Sequence, residues 1–427
     1  MKKITVIGGG STYTPELMDG LIKNADAIDC GEVYLLDIDR TNKFKIVAEL
    51  AQRMVEHAGA KFLLRWGTDI KDGLQDAHFI LQQYRPGLLA GRIRDETIPL
   101  KYNLIGQETT GVGGFSCALR ALPIVEQYVE FVRKWANKDA FIINFTNPSG
   151  LISEFVINTL GFENFAGLCN IPINTLQTLA ENFNCKRSDI FLHYYGLNHM
   201  SWIDRVYVKG IDRTQDAFNK TYKPENVPDS ELFERFAFES AMILNPYLRY
   251  YYTTQTMLAE EKEAKATKGT RGEQVQQIER DLLEKYSDVT LYEKPLELEQ
   301  RGGSMYSTAA IELIRDLCTK GTKEHIVNIR NNGAVENLDR SYVLEINARV
   351  SQGMIRPVCI QKAHPIAKGL IDTVKTFERL TIEAHLKGSK KKARDALLIH
   401  PLGPRLEDVN ALLDDLLEAN QDYCRLS

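Results

Sequence analysis

Cys169 in "GLCNIP" and His199 in "GLNHMSW" are the residue types that hold transition-metal ions, and each ends a strand-like run. Singly, each has an ordinary explanation: a buried structural thiol and a hydrogen-bonded loop histidine. Together they would form an incomplete site that leaves coordination positions for a substrate. A second constellation stands near the start, in "ITVIGGGSTYTPEL". Gly8 and Gly10 directly follow an apolar run, where the lack of a side chain permits a tight turn and a close backbone approach to a pyrophosphate. The helix expected next offers N–H groups and a positive dipole end to phosphate. Ser11, Thr12 and Thr14 are candidate caps, and Pro15 suits the first helical turn. Tyr13 stands where the usual third glycine would be, which implies a wider loop or looser helix–strand packing. Asp37 ends the second strand-like run and could accept hydrogen bonds from ribose hydroxyls, favouring NAD over NADP.

Other polar stretches are less specific alone. "GQETTGVGG", residues 106–114, is either a flexible surface loop or a loop at a substrate cleft to which Glu108 adds a charge. In "NFTNPSG", Asn147 precedes a proline and is biased away from helix, while Ser149 could cap the helix that follows. Asn147 then lies at the carboxyl edge of the sheet, where open α/β sheets bind ligands. In "NPYLRYYYTTQ", helical spacing places Tyr247 and Tyr251 on one face; aromatic packing is the ordinary reading. Arg92, Arg94 and Arg301 could clamp a phosphate through paired N–H donors, or lie on the surface.

The elements that must position these residues follow from hydrophobic patterning. "ITVI", "EVYLLDID", "HFILQQY", "FIINFT" and "FAGLC" read as strands, numbered first to fifth, and helical runs alternate with them. That alternation predicts a Rossmann-like, doubly wound parallel sheet buried on both faces, over residues 1–190. After about residue 192 the pattern changes. "DRVYVKG" reads as an antiparallel edge strand, long polar helices follow, and "HIVNIRNNG" and "SYVLEINARV" are short strands. Residues 191–427 are therefore expected to form a mixed α+β domain for catalysis and oligomerisation, with an extensive interface to the first. The basic run at 387–394, "KGSKKKAR", reads as a solvated helix start.

Bulk properties narrow the function. The 427 residues allow two to three domains, and a net charge of −4 gives no support for nucleic-acid or anionic-membrane binding. Seven cysteines include no CxxC pair, and an odd count argues against a disulfide framework, so reduced thiols in the cytoplasm are expected. The first residues lack the apolar run of a signal peptide, and no stretch approaches the roughly 20 apolar residues of a membrane span. A homo-oligomer, dimer or tetramer, is expected.

Taken as a set, "GGGSTYTPEL", "IPLKYNLIGQETTG", "NFTNPSG", "GLCNIP", "GLNHMSW", "PYLRYYY" and "RGGSMYS" resemble the NAD- and metal-dependent family 4 glycoside hydrolases, over nearly the whole chain. These enzymes depart from two-carboxylate glycosidase chemistry. The resemblance implies NAD on Gly8, Gly10, Ser11, Thr12 and Asp37. It implies a divalent ion, usually manganese, on Cys169 and His199, and Tyr247 as the base at sugar carbon 2. Glu108 would raise that base's strength, and Arg92, Asn147, Asn170 and Arg301 would contact the sugar phosphate and hydroxyls. Members that cleave α-linkages usually carry an aspartic acid after the metal cysteine. Asn170 stands there instead and cannot act as an acid, so a phosphorylated β-glucoside or disaccharide is the implied substrate. The implied route is oxidation at carbon 3, proton removal at carbon 2, elimination, water addition and re-reduction, with no net redox change. A hydroxy-acid or sugar-phosphate dehydrogenase would instead accumulate NADH, and an NAD-responsive sensor would release no aglycone.

Overall fold

Six parallel strands build the centre of the main sheet: β1 (Lys2–Ile7), β2 (Cys30–Leu36), β3 (Leu63–Gly67), β4 (Phe79–Gln82), β5 (Phe141–Asn144) and β6 (Phe165–Gly167). The computed structural model describes residues 1–39, 41–222, 232–302, 305–360, 362–424 and 426. Their spatial order is β6-β5-β4-β1-β2-β3. Strand order therefore reverses between β4 and β1, and the crevice outside their carboxyl ends is where such sheets bind ligands. The apolar strand residues are buried because helices cover both faces: Ile4, Val6, Ile80, Leu81, Ile142 and Ile143 are fully enclosed.

The sequence reading passed over β3. Leu64 is buried, but Leu63 and Trp66 are 59% and 41% exposed, because β3 is an edge strand paired with β2. "HFILQQY" is thus the fourth strand, not the third. A larger departure concerns the second half. β7 (Ile190–Leu197), β8 (Met200–Val208), β9 (Ile211–Asp212) and β10 (Ile243–Leu244) form a small antiparallel sheet. β11 (Lys323–Arg330), β12 (Val343–Ser351) and β13 (Met354–Pro357), however, continue the main sheet beyond β6 in antiparallel sense. "DRVYVKG" lies in β8, which is flanked by β7 and β10 and is not an edge. The fold is a Rossmann-like sheet plus an α+β remainder that lends three strands to it.

Two buried ion clusters fix the helices around this frame. Arg120 on the helix Gly111–Trp135 donates to both Asp95 oxygens, at 2.9 and 2.5 Å, and to Asn420 at 2.6 Å. A Cβ on Gly87 would come within 2.9 Å of the Arg120 Nε, so that glycine opens the berth for the guanidinium. Lys375, fully buried, bridges Glu154 at 3.0 Å and Glu378 at 2.5 Å. The basic run at 387–394 spans the end of the helix Pro365–Lys387 and the start of the helix Lys390–Ile399, whose N-cap is Ser389. Among the described residues no helix is long and apolar enough to cross a membrane, and all seven cysteines are free.

Candidate active site

The glycine loop leaves β1 at the point of strand-order reversal. Gly8 has φ +89°, and a Cβ there would meet the Tyr84 amide nitrogen at 2.8 Å. Gly10 donates its N–H to Asp37 Oδ2 at 2.7 Å, while Asp37 Oδ1 accepts from the Asp39 amide at 2.9 Å. Asp37 lies one residue past the end of β2. Its carboxylate thus shapes the loop and stands at the carboxyl edge of the sheet. The following helix spans Thr14–Ile28, and its N-cap is Tyr13, which makes no side-chain cap. The three candidate caps are engaged elsewhere. Ser11 Oγ accepts from the Tyr13 amide at 3.2 Å, Thr14 Oγ1 donates to the Gly9 carbonyl at 2.8 Å, and Thr12 Oγ1 donates to Glu279 at 3.1 Å. A helix start without a side-chain cap, on a loop of three glycines, fits a dinucleotide pyrophosphate. Tyr13 packs edge-on against Tyr306 at 6.4 Å and lies under the Arg301 guanidinium. The residue replacing the third glycine therefore ties the loop to the second half of the chain.

Cys169 and His199 arrive from different sheets. Cys169 follows β6 and is the N-cap of the helix Asn170–Phe183, its Sγ accepting from the Ile171 amide at 3.5 Å. His199 sits in the turn between β7 and β8 with φ +62°, a left-handed conformation that is uncommon for a non-glycine residue. Glu345 on β12 holds the two together. Its buried carboxylate accepts from Tyr194 at 2.6 Å, from Asn198 in the hairpin turn at 3.0 Å, and from Asn328 on β11 at 3.3 Å. Burial pushes the Cys169 thiol up, helped by the Glu345 charge, while hydrogen bonds from Ile171, Asn198 and Tyr306 act in the opposite sense. Burial pushes His199 down to about 4, so its imidazole is neutral, as a metal ligand must be.

Tyr247 completes this cluster. Asn245 caps the short turn Pro246–Leu248 by accepting from the Tyr247 amide at 3.0 Å, and Asn245 Nδ2 donates to Ser201 on β8 at 2.9 Å. The Tyr247 ring lies parallel on His199, with centroids 4.2 Å apart and planes 6° apart. Burial raises its phenol above the usual range, followed by Cys169, Tyr250 and Glu108, with Arg92 opposing. Tyr247 neighbours Tyr250 at 5.8 Å, whereas Tyr251 packs on His400 at 5.9 Å. The expected pairing of Tyr247 with Tyr251 fails because the segment starts as a three-residue turn before the helix Arg249–Tyr252.

Positive charge gathers beside this cluster. Glu108, buried, pairs with Arg85 and with Arg92 Nη1 at 3.1 Å. Burial alone would raise its carboxyl, but the two guanidinium groups bring it below the usual range. Arg301 is held below its usual value by burial, opposed by Glu279 and reinforced by the nearby Arg85. Among the described residues its Nε has no hydrogen-bond partner, a buried donor that an anion would satisfy. Gly302 follows it, and Gly303 lies outside the described residues. Arg94 contributes to neither pair. Asn170 begins the helix after Cys169, its Oδ1 3.9 Å from the Cys169 sulfur. Asn147 lies beyond β5, its carbonyl accepting from Cys117 at 3.5 Å. Ser149 is the first residue inside its helix and does not cap it; Pro148 is the N-cap.

The "GQETTGVGG" stretch is packed, not loose. The Gly106 amide donates to Glu261 at 2.8 Å, and Gly111 begins a 25-residue helix. The sequence reading left out Glu345 and Tyr306 as site residues. Strand and helix patterning carry no mark for Glu345, which lies in β12 some 150 positions from its partners in the hairpin. A thiolate and an imidazole suit a borderline divalent ion. Among the described residues no group of three histidine, cysteine or acidic side chains could hold one, so this pair would leave open positions.

Comparison with known proteins agrees with this arrangement. Residues 3–185 match the family 4 glycosyl hydrolases and residues 194–403 match their C-terminal domain. The chain is 51% identical to the 6-phospho-beta-glucosidase BglT of Thermotoga maritima, over 99% of this chain and all of that protein. It is 34% identical to the 6-phospho-beta-glucosidase of Escherichia coli, over 99% of this chain and 96% of that one. Solved structures of the Thermotoga maritima 6-phospho-beta-glucosidase superpose with a TM-score of 0.94 at 49% identity, covering both chains fully. One contains NAD and glucose-6-phosphate, another manganese, NAD+ and glucose-6-phosphate. With both halves matched and a half-identical relative spanning its length, this chain belongs to the family 4 glycosyl hydrolases.

Proposed function

We propose that this chain hydrolyses 6-phospho-β-glucosides, such as cellobiose 6-phosphate, to glucose 6-phosphate and an aglycone. The observation that carries the reading is the parallel stack of Tyr247 on His199 beside Cys169, adjoining Arg85, Arg92 and a buried Arg301 with an unpaired donor. Bound NAD supplies a hydride acceptor that later becomes the donor, and a divalent ion, manganese by analogy with the relatives, supplies Lewis-acid polarisation. The chain's own residues do the rest. Gly8, Gly10, Ser11 and Thr12 cradle the pyrophosphate, and Asp37 accepts from the ribose. Cys169 and His199 hold the ion with sugar oxygens completing its shell. Arg92 and Arg301, with Arg85, take the 6-phosphate; Asn147 and Asn170 orient sugar hydroxyls. Tyr247 removes the proton from carbon 2, and the Glu108 charge keeps its phenolate basic.

Asn170 supports the β-linkage, since an amide cannot protonate a leaving group. Residues 1–190 act as the nucleotide half and 191–427 as the catalytic and oligomerisation half, in a dimer or tetramer. The free cysteines and the phosphorylated substrate suit a reducing cytoplasm. A panel of chromogenic α- and β-glucosides and galactosides, with and without 6-phosphate, tests the reading. Cleavage of the 6-phospho-β-glucoside alone, dependent on NAD but without net NADH, is expected. Comparable kcat/KM on an unphosphorylated β-glucoside, or NADH accumulating with turnover, refutes it.

A further inference from the structure

We propose that Gln107 and Thr109 are positioning residues that fix the tautomer of His199: the proton sits on Nδ1, and Nε2 is left as the bare nitrogen that meets the divalent ion. The second half of this statement rests on the metal reading above; the first half does not.

The assignment follows from counting protons. The Thr109 backbone N–H lies 2.6 Å from Gln107 Oε1, and an N–H can only donate, so that atom is the amide oxygen and not the amide nitrogen. The same oxygen lies 2.7 Å from Thr109 Oγ1. An amide oxygen has no proton to give, so the hydroxyl donates to it. A threonine hydroxyl has one proton, and it is now committed. Towards His199 Nδ1, 2.8 Å away, Thr109 Oγ1 must therefore accept, and Nδ1 must carry the hydrogen. In a neutral imidazole the other nitrogen is then unprotonated. This is the relation by which an outer hydrogen bond sets ring orientation and ligand basicity at metal sites.

The surroundings hold the chain of bonds in place. Gly113 packs so closely on the Gln107 carbonyl that a Cβ there would collide with it. Glu261 grips the Gly106 amide on the other side. The χ1-restricted threonine suits a fixed acceptor, and the ring plane of His199 is set by its stack on Tyr247. The polar "GQETTG" stretch thereby gains a purpose beyond Glu108.

The test uses metal-free, full-length protein with 15N-labelled histidine, His199 being assigned by His199→Asn. Two-bond proton–nitrogen NMR spectra at neutral pH should show His199 protonated on Nδ1 in the wild type and in Thr109→Ser. Thr109→Val removes the acceptor, and Gln107→Leu frees the threonine proton to donate to Nδ1; both should lose the Nδ1–H signature. Mn2+ affinity, measured by electron paramagnetic resonance of the free ion without sugar, should fall about 10–100-fold in those two variants and recover in Thr109→Ser. NAD binding should stay at the wild-type level in all three, which shows that the fold is intact. Nε2–H in the wild type overturns the inference, as does wild-type Mn2+ affinity in Thr109→Val and Gln107→Leu. A wild type that binds no Mn2+ refutes the metal reading instead; the tautomer spectrum, which needs no metal, tells the two failures apart.

Discussion

Tyr247→Phe deletes one oxygen and keeps the ring, so it isolates base chemistry from packing. The ring's stack on His199, at 4.2 Å and 6°, and its tilted contact with Tyr250 at 5.8 Å both survive. Folding should be unaffected. An ordinary phenol, with a pKa of about 10, is ionised to about one part in 10³ near neutral pH. Here burial, then the Cys169, Tyr250 and Glu108 charges, push Tyr247 further from ionisation. A divalent ion held by Cys169 would oppose those charge effects and make the phenolate accessible. If Tyr247 is the general base, kcat should fall by about 10²–10⁴-fold, which is about 3–5 kcal/mol of barrier. The assay is release of a chromophore from an aryl 6-phospho-β-glucoside, paired with turnover in heavy water. The wild type should place deuterium at carbon 2 of the glucose 6-phosphate released. Retention of more than a tenth of wild-type kcat in Tyr247→Phe refutes the assignment. If Tyr250→Phe shows the loss instead, the base lies three residues on. Complete retention of the carbon 2 hydrogen, with activity indifferent to NAD, refutes the mechanism itself.

Cys169→Ser should nearly abolish turnover while NAD binding, followed by cofactor fluorescence, stays intact; full metal-dependent activity in that variant counts against Cys169 as a ligand. Lys375→Met takes the buried lysine from Glu378 and leaves Glu154 with Arg379 as its paired cation, and should cost about 3–5 kcal/mol in urea unfolding; a loss under about 1 kcal/mol would show that Glu378 finds another partner. Acid should destabilise the fold through His400, which burial holds down to about 3 and whose Nδ1 accepts from the Leu402 amide at 3.0 Å. Its unfolded value is about 6.5, so below that the unfolded chain binds the extra proton; the stabilisation is complete above about pH 6.5 and is lost towards about pH 3. Between about pH 7 and about pH 5 this one group should remove about 2 kcal/mol. His400→Gln should flatten the pH dependence by that amount, and equal slopes in the two proteins would contradict the argument.

What the sequence determined by itself was local. An apolar run ending in glycines, then a proline, then helical periodicity, specified β1, the loop and its helix, because turn conformation and side-chain period are properties of neighbouring residues. Cys169 and His199 were likewise legible as residue types that hold metal ions, whereas the roles expected of Tyr247 and Asn170 came only from the resemblance to family 4. Tertiary structure decided whatever depends on partners far along the chain. β3 escaped notice because an edge strand is covered unevenly and loses the buried-strand signature. β11, β12 and β13 carry the same alternation whether they form their own sheet or extend another, so only backbone pairing with β6 placed them. Gly87 carries no mark of its role among its neighbours in the chain; Arg120 lies in the space it leaves. Glu345, in the middle of a strand, carries no local mark of function, yet its three hydrogen bonds bring the His199 hairpin to the strand edge that bears Cys169. A hydrogen bond leaves no trace in the pattern of either partner's neighbours. The residues that hold this site together are therefore visible only once the chain has folded.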